Sequence, residues 1–172
     1  MKLLSMVTSL FASAGAAGHV LSVGSPAPQF ETDSSDGTLF RLKDRIGHWT
    51  ALYFYPKDDT PGCTQQACAF RDGIDVIRKQ GAEVHGVSKD TIESHKKFTE
   101  KYKLNFPLLA DPEGKIIRMY GISGVFGYAK RWTFLIGPDL VIRVIQKDVD
   151  PMMNAKSVAA ELEKAKGTLH GR

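Results

Sequence analysis

The 172 residues contain two cysteines, Cys63 and Cys68, and both fall in one stretch, YFYPKDDTPGCTQQACAFRD, that leaves a strongly apolar run. Thr60 followed by Pro61 is a helix-start signature, with Thr at the N-cap and Pro at the first helical position. Cys63 then belongs in the first turn, where backbone N–H groups without intrahelical partners and the positive end of the dipole face it. That environment favours the thiolate, which is the nucleophilic form of cysteine. A buried, inert thiol is the commoner fate of a cysteine, but the helix-start position in a loop containing Pro and Gly favours a reactive one. Cys68 follows with four residues between, not the two of a C-x-x-C oxidoreductase. Zinc fits poorly, because no second close Cys/His pair completes a ligand set and His85 lies far along the chain from His95. A scaffolding disulfide is open too, although closing so short a loop adds little to a domain of this size.

The elements that must hold this loop follow from periodicity. Residues 50–55 (TALYFY) form a β-branched and aromatic run stopped by Pro56, as in a strand buried on both faces. The spacing of Ala67, Phe70, Ile74 and Ile77 predicts a helix over 61–80, stopped by Gly81. Upstream, PAPQFETDSSDGTLFRL reads as a hairpin around Ser35-Asp36-Gly37. Downstream come a second buried strand over 83–88 and a charged helix capped by Asp90, with Ile92, Phe98 and Tyr102 on its apolar side. A strand over 106–110, a short helix over 115–120, a strand pair over 132–136 and 141–145, and an amphipathic helix over 157–165 complete the order. The expected class is α/β, a thioredoxin-like fold with a central mixed sheet flanked by helices and an N-terminal β-hairpin, its site at the strand-to-helix loops.

Composition agrees with one folded domain: 42% of residues are apolar and 24% charged. The net charge of +4 comes from scattered basic residues, so no nucleic-acid partner is expected. No apolar stretch reaches the roughly 18 residues of a spanning helix, and no membrane partner is expected either. Residues 1–18 differ in character, with Met1-Lys2, an apolar run and small residues up to Gly18. They read as a secretory signal or an N-terminal extension, ahead of a single domain over 19–172. Export, to the periplasm in a bacterium, is the expectation; a cytoplasmic protein is the alternative. The five histidines are expected to be bland: His19 and His170 near the ends, His48 and His95 exposed, His85 on a strand.

Pro56, Thr60 and Cys63 stand as P-x-x-x-T-x-x-C, which resembles the active-site pattern of the peroxiredoxins. TPGCTQQAC is similar to the bacterioferritin comigratory protein (Q-type) branch, and the likeness extends from about Val23 to Lys166 through AFRD, GVSKD, FPLLADPEGK and RWTFLIGPD. The resemblance implies a thiol peroxidase of the atypical 2-Cys kind, acting on hydrogen peroxide and organic hydroperoxides. It makes Cys63 the peroxidatic and Cys68 the resolving cysteine of an intramolecular disulfide cycle, with Pro56, Thr60 and Arg131 in the site. It further implies no cofactor or metal, a thioredoxin-like dithiol as reductant, and a monomer. The residue chemistry is consistent: a thiolate that breaks an O–O bond needs fixed donors for the leaving oxygen. Thr60, the Gly62 and Cys63 amides and a guanidinium supply them, and Arg131 opens a strand expected beside that of Tyr55. A general thiol–disulfide exchanger and a non-enzymatic exported domain with a structural disulfide are the alternatives. Gln66 where Glu is common, Trp132 where a small polar residue is common, Gly137-Pro138 after TFLI and the Gly-rich loop 121–130 depart from the family pattern at the rim.

Overall fold

The computed structural model describes residues 21–170, so the leader expected at 1–18 lies outside the described residues. Strand β3 (Trp49–Phe54) is buried along its whole length, because its alternating side chains serve two different layers. Ala51 and Tyr53 face one apolar cluster and Leu52 and Phe54 the other. Five strands run in the order β5-β4-β3-β6-β7. β4 (Ala82–Ser88) pairs parallel with β3, and β5 (Leu108–Ala110) parallel with β4. β6 (Thr133–Ile136) pairs antiparallel with β3, and β7 (Ile142–Gln146) antiparallel with β6, which makes the sheet mixed.

Helices α1 (Pro61–Lys79) and α4 (Asn154–His170) pack together on one face, over Tyr53, Val84 and Leu135. Phe98 of α2 (Ile92–Tyr102) joins the same cluster. The other face is covered by α3 (Lys115–Met119) through Ile116 and Ile117, and by Phe40 of the hairpin formed by β1 (Glu31–Asp33) and β2 (Leu39–Arg41). Gly86 sits in the sheet centre because a Cβ there would lie 2.7 Å from Tyr53 Oη and from Leu108 Cδ2.

Four expectations are corrected. The charged helix is capped by Thr91, whose Oγ1 accepts from the Ser94 amide at 3.3 Å, while Asp90 turns its carboxylate to the Asp58 amide (2.9 Å) and Ser88 Oγ (2.6 Å). His95 is fully buried rather than exposed, since it shares the inward face of α2 with Phe98 three residues on. The strand expected over 106–110 starts at Leu108, as Pro107 has no N–H for a ladder. The last helix begins at Asn154 instead of 157 because Asp150 accepts the Met152 amide at 2.8 Å and turns the chain into it.

Candidate active site

The parallel strands β3 and β4 deliver their carboxyl ends to a short loop, 56–60, that feeds directly into α1. This loop is fastened from several sides. Asp58 is tied to Tyr55, Ser94 and His95, and Asp59 adopts a left-handed backbone (φ 57°) with its carboxylate held by Lys101 Nζ and Tyr102 Oη, each at 2.8 Å. The Lys101 bond holds the Asp59 carboxyl below its usual range, with Tyr102 adding to the effect.

Thr60 is the N-cap and Pro61 opens α1 as the sequence indicates. The Thr60 side chain makes no capping bond; its hydroxyl donates to the Lys57 carbonyl at 2.8 Å. The amides of Gly62 and Cys63 in the first turn therefore lack both a side-chain cap and an intrahelical acceptor. Cys63 itself is buried, at 1% exposure. Arg131, two residues ahead of β6, reaches across and donates from Nη2 to Cys63 Sγ at 3.4 Å. Its Nη1 donates to Gln66 Oε1 at 2.6 Å, so the guanidinium is gripped on one edge while the other faces sulfur. Gly62 eases this approach, because a Cβ there would lie 3.2 Å from Arg131 Nη2 and the guanidinium would have to shift by a few tenths of an ångström.

The structure thus brings Cys63 and Arg131 into contact and sets Thr60 at the head of the same helix. Pro56 is half-buried at the end of the β3 segment, where it closes the strand and starts the loop. Cys68 is half-buried farther along the same unbroken helix, and both cysteines are free thiols. Among the described residues no group of three or more His, Cys, Asp or Glu side chains is placed to hold a metal ion. Two features were not visible in the sequence. Gln66 stands out there only as a departure from the common Glu, yet it is fully buried and holds Arg131. Asn154, which accepts from Gln66 Nε2 at 2.8 Å, carries no local signal, since the two amides are 88 residues apart.

The AhpC/TSA family model matches residues 23–145. The chain belongs to the AhpC/TSA family. A peroxiredoxin bcp of Coxiella burnetii is 41% identical over 132 residues, which cover 73% of this chain and 87% of that protein. The chloroplastic peroxiredoxin Q of Oryza sativa subsp. japonica is 43% identical over 127 residues, 73% of this chain and 58% of the rice protein, so the chain spans little over half of that relative. Among solved structures, a Xanthomonas campestris bacterioferritin comigratory protein studied for its alkyl peroxide reduction activity matches with a TM-score of 0.75 and 32% identity, over 78% of this chain and 90% of that one. The expected branch, peroxiredoxin Q or bacterioferritin comigratory protein, and the expected thioredoxin-like fold both hold, and the protein is a thiol peroxidase.

Proposed function

We propose that this peroxidase reduces hydrogen peroxide and alkyl hydroperoxides through Cys63, resolves the product through Cys68, and is recycled by a thioredoxin-like dithiol. The observation that carries the reading is the Arg131 guanidinium donating to the sulfur of a cysteine in the first turn of α1. The Cys63 thiolate attacks one peroxide oxygen, the O–O bond breaks, and the second oxygen leaves with a proton as water or an alcohol. Arg131 and the Gly62 and Cys63 amides face the charge that develops on the leaving oxygen. Thr60 Oγ1, whose proton goes to Lys57, has lone pairs with which to accept the peroxide O–H. Met152 and Met153, exposed beside Pro151 at the Gly62 edge, suit an alkyl chain.

Cys63 is then a sulfenic acid, and attack by the Cys68 thiol forms the disulfide and releases water. In the intact helix their Cα atoms are about 8–9 Å apart, by a rise of about 7.5 Å. A disulfide needs less than about 7 Å, so the turn between them must open. Both thiols come from one chain, which supports a monomer as the working unit. Export after loss of residues 1–18 belongs to the same proposal and rests on the cationic start and apolar run alone.

Peroxide consumption with a dithiol reductant tests the cycle. Cys63→Ser is expected to abolish turnover, whereas Cys68→Ser should react once and stop as sulfenic acid. A Cys63→Ser variant with a wild-type first turnover would overturn the assignment. In the oxidised wild type, amide exchange over 60–71 should be faster than in the reduced form.

A further inference from the structure

Arg131 is not held by Gln66 alone. Gln66 Nε2 donates to Asn154 Oδ1 at 2.8 Å, and Thr133 Oγ1 donates to the same oxygen at 3.0 Å. Asn154 Nδ2 donates to Gln146 Oε1 at 2.9 Å, and Gln146 Nε2 to Ser157 Oγ at 2.6 Å. A guanidinium can only donate, so it fixes the oxygen of Gln66 toward itself and the amide nitrogen toward Asn154. Each amide downstream is then set in one orientation as far as α4. Gln66 and Asn154 are 0% and 1% exposed, so water does not replace a broken bond there without the protein opening.

Gln66 also lies between the two cysteines, inside the turn that has to open for them to bond. Opening that turn carries Gln66 off both partners at once. The side chain that aims Arg131 at the sulfur is therefore the one that keeps the helix closed, and Asn154 is its fixed anchor on the neighbouring helix. Resting on the Cys63–Cys68 cycle above, we propose that Asn154 is a positioning residue that latches the turn. With the latch made, Arg131 faces Cys63 and peroxide attack is favoured. With it broken, Arg131 loses its grip, Cys68 reaches the sulfenic acid, and one water leaves as the disulfide forms.

The test uses the full chain. Asn154→Ala removes the acceptor of Gln66 and Thr133. After one equivalent of hydrogen peroxide, rapid quenching and mass measurement should show the disulfide forming about fivefold to thirtyfold faster than in wild type. Sulfinic acid on Cys63 at excess peroxide should fall by a similar factor, because closure to the disulfide outruns a second oxidation. Amide exchange of the reduced protein should rise between Cys63 and Cys68 but not in β3 or β6, which a general loosening would also raise. Asn154→Asp keeps an acceptor for Gln66 and Thr133 but gives up the bond to Gln146, so it should resolve no faster than a variant that loosens only that outer bond, about twofold to fivefold above wild type. Gln146→Leu, on a half-buried strand residue, loosens only the outer end and should speed resolution about twofold to fivefold. It decides the matter if Asn154→Ala does not fold. Resolution within twofold of wild type in whichever of these two variants fold, or faster exchange spread evenly over the sheet, would overturn the latch. Absence of sulfenic acid in Cys68→Ser would instead remove the cycle itself, whatever Asn154 does.

Discussion

At the scale of single residues, the proposed chemistry depends on a guanidinium whose two edges meet different partners. Arg131 Nη1 is occupied by Gln66 at 2.6 Å, which leaves Nη2 to face Cys63 Sγ at 3.4 Å. A lysine ammonium is a point charge on a flexible stem and cannot hold both contacts in one plane. Arg131→Lys should therefore slow peroxide attack at least about tenfold, the cost of weakening one fixed donor at a developing oxyanion being on the order of 1–3 kcal/mol. Stopped-flow kinetics with hydrogen peroxide checks this, and wild-type rates would place Arg131 outside the reaction. The helix start that carries Cys63 was legible because it is written in adjacent residues, Thr60 and Pro61. The partners that hold Arg131 were not, since hydrogen bonds between side chains 65 and 88 residues apart leave no periodic trace. The Thr60 hydroxyl illustrates a further limit: N-cap identity fixed its backbone, but the side chain turned to the Lys57 carbonyl within the same loop.

At the scale of elements, period and punctuation located the strands and helices that build the sheet, and errors fell where a local bond competed with them. Thr91 took the cap from Asp90 because the Asp90 carboxylate was claimed by Ser88 and the Asp58 amide. The hairpin was read from its turn residues, but not how it is fastened. The 3-10 turn Leu42–Arg45 after it is tied to β4 by Arg45 Nη1, 2.7 Å from Glu83 Oε2. Glu83 is held down to about 2 by the His85 imidazole at 3.4 Å and by this guanidinium. Burial lowers His85 and favours its neutral form, which leaves Arg45 as the shorter and fully charged partner. A carboxyl with a depressed folded value adds stability that is complete above its unfolded value near 4.5 and is lost as pH falls toward about 2. The urea midpoints of wild type and Glu83→Gln should thus differ by a constant amount above about pH 5 and converge below pH 4.5. The gap should be small, about 1 kcal/mol or less, because Glu83 is partly exposed. A gap that widened on acidification would contradict the pairing.

At the scale of the whole molecule, the loop before Cys63 is joined to α2, β4 and β5 through one buried cluster. Asp58 accepts from Tyr55 Oη at 2.6 Å, Ser94 Oγ at 2.8 Å and His95 Nδ1 at 2.8 Å, and its amide donates to Asp90. His95 Nε2 meets the Leu109 carbonyl at 3.1 Å, so both ring nitrogens face acceptors. Side-chain exposures of 0% for His95 and 3% for Asp58 cut this hydrogen-bonded pair off from water. Removing one member of a buried hydrogen-bonded pair leaves the other's polar atom without its partner, at about 1–3 kcal/mol. His95→Leu should consequently lower the melting temperature by roughly 2–12 °C, taking about 2–4 °C per kcal/mol for a chain of this size. Asp58→Asn combined with His95→Leu should recover part of that loss, because no unpaired carboxylate then remains, and the two changes should be non-additive by about 1–3 kcal/mol. Urea denaturation of the two single variants and the double variant measures the coupling. Strict additivity, or a His95→Leu cost below about 1 kcal/mol, would mean that the loop carrying Cys63 is held without the bond between these two side chains.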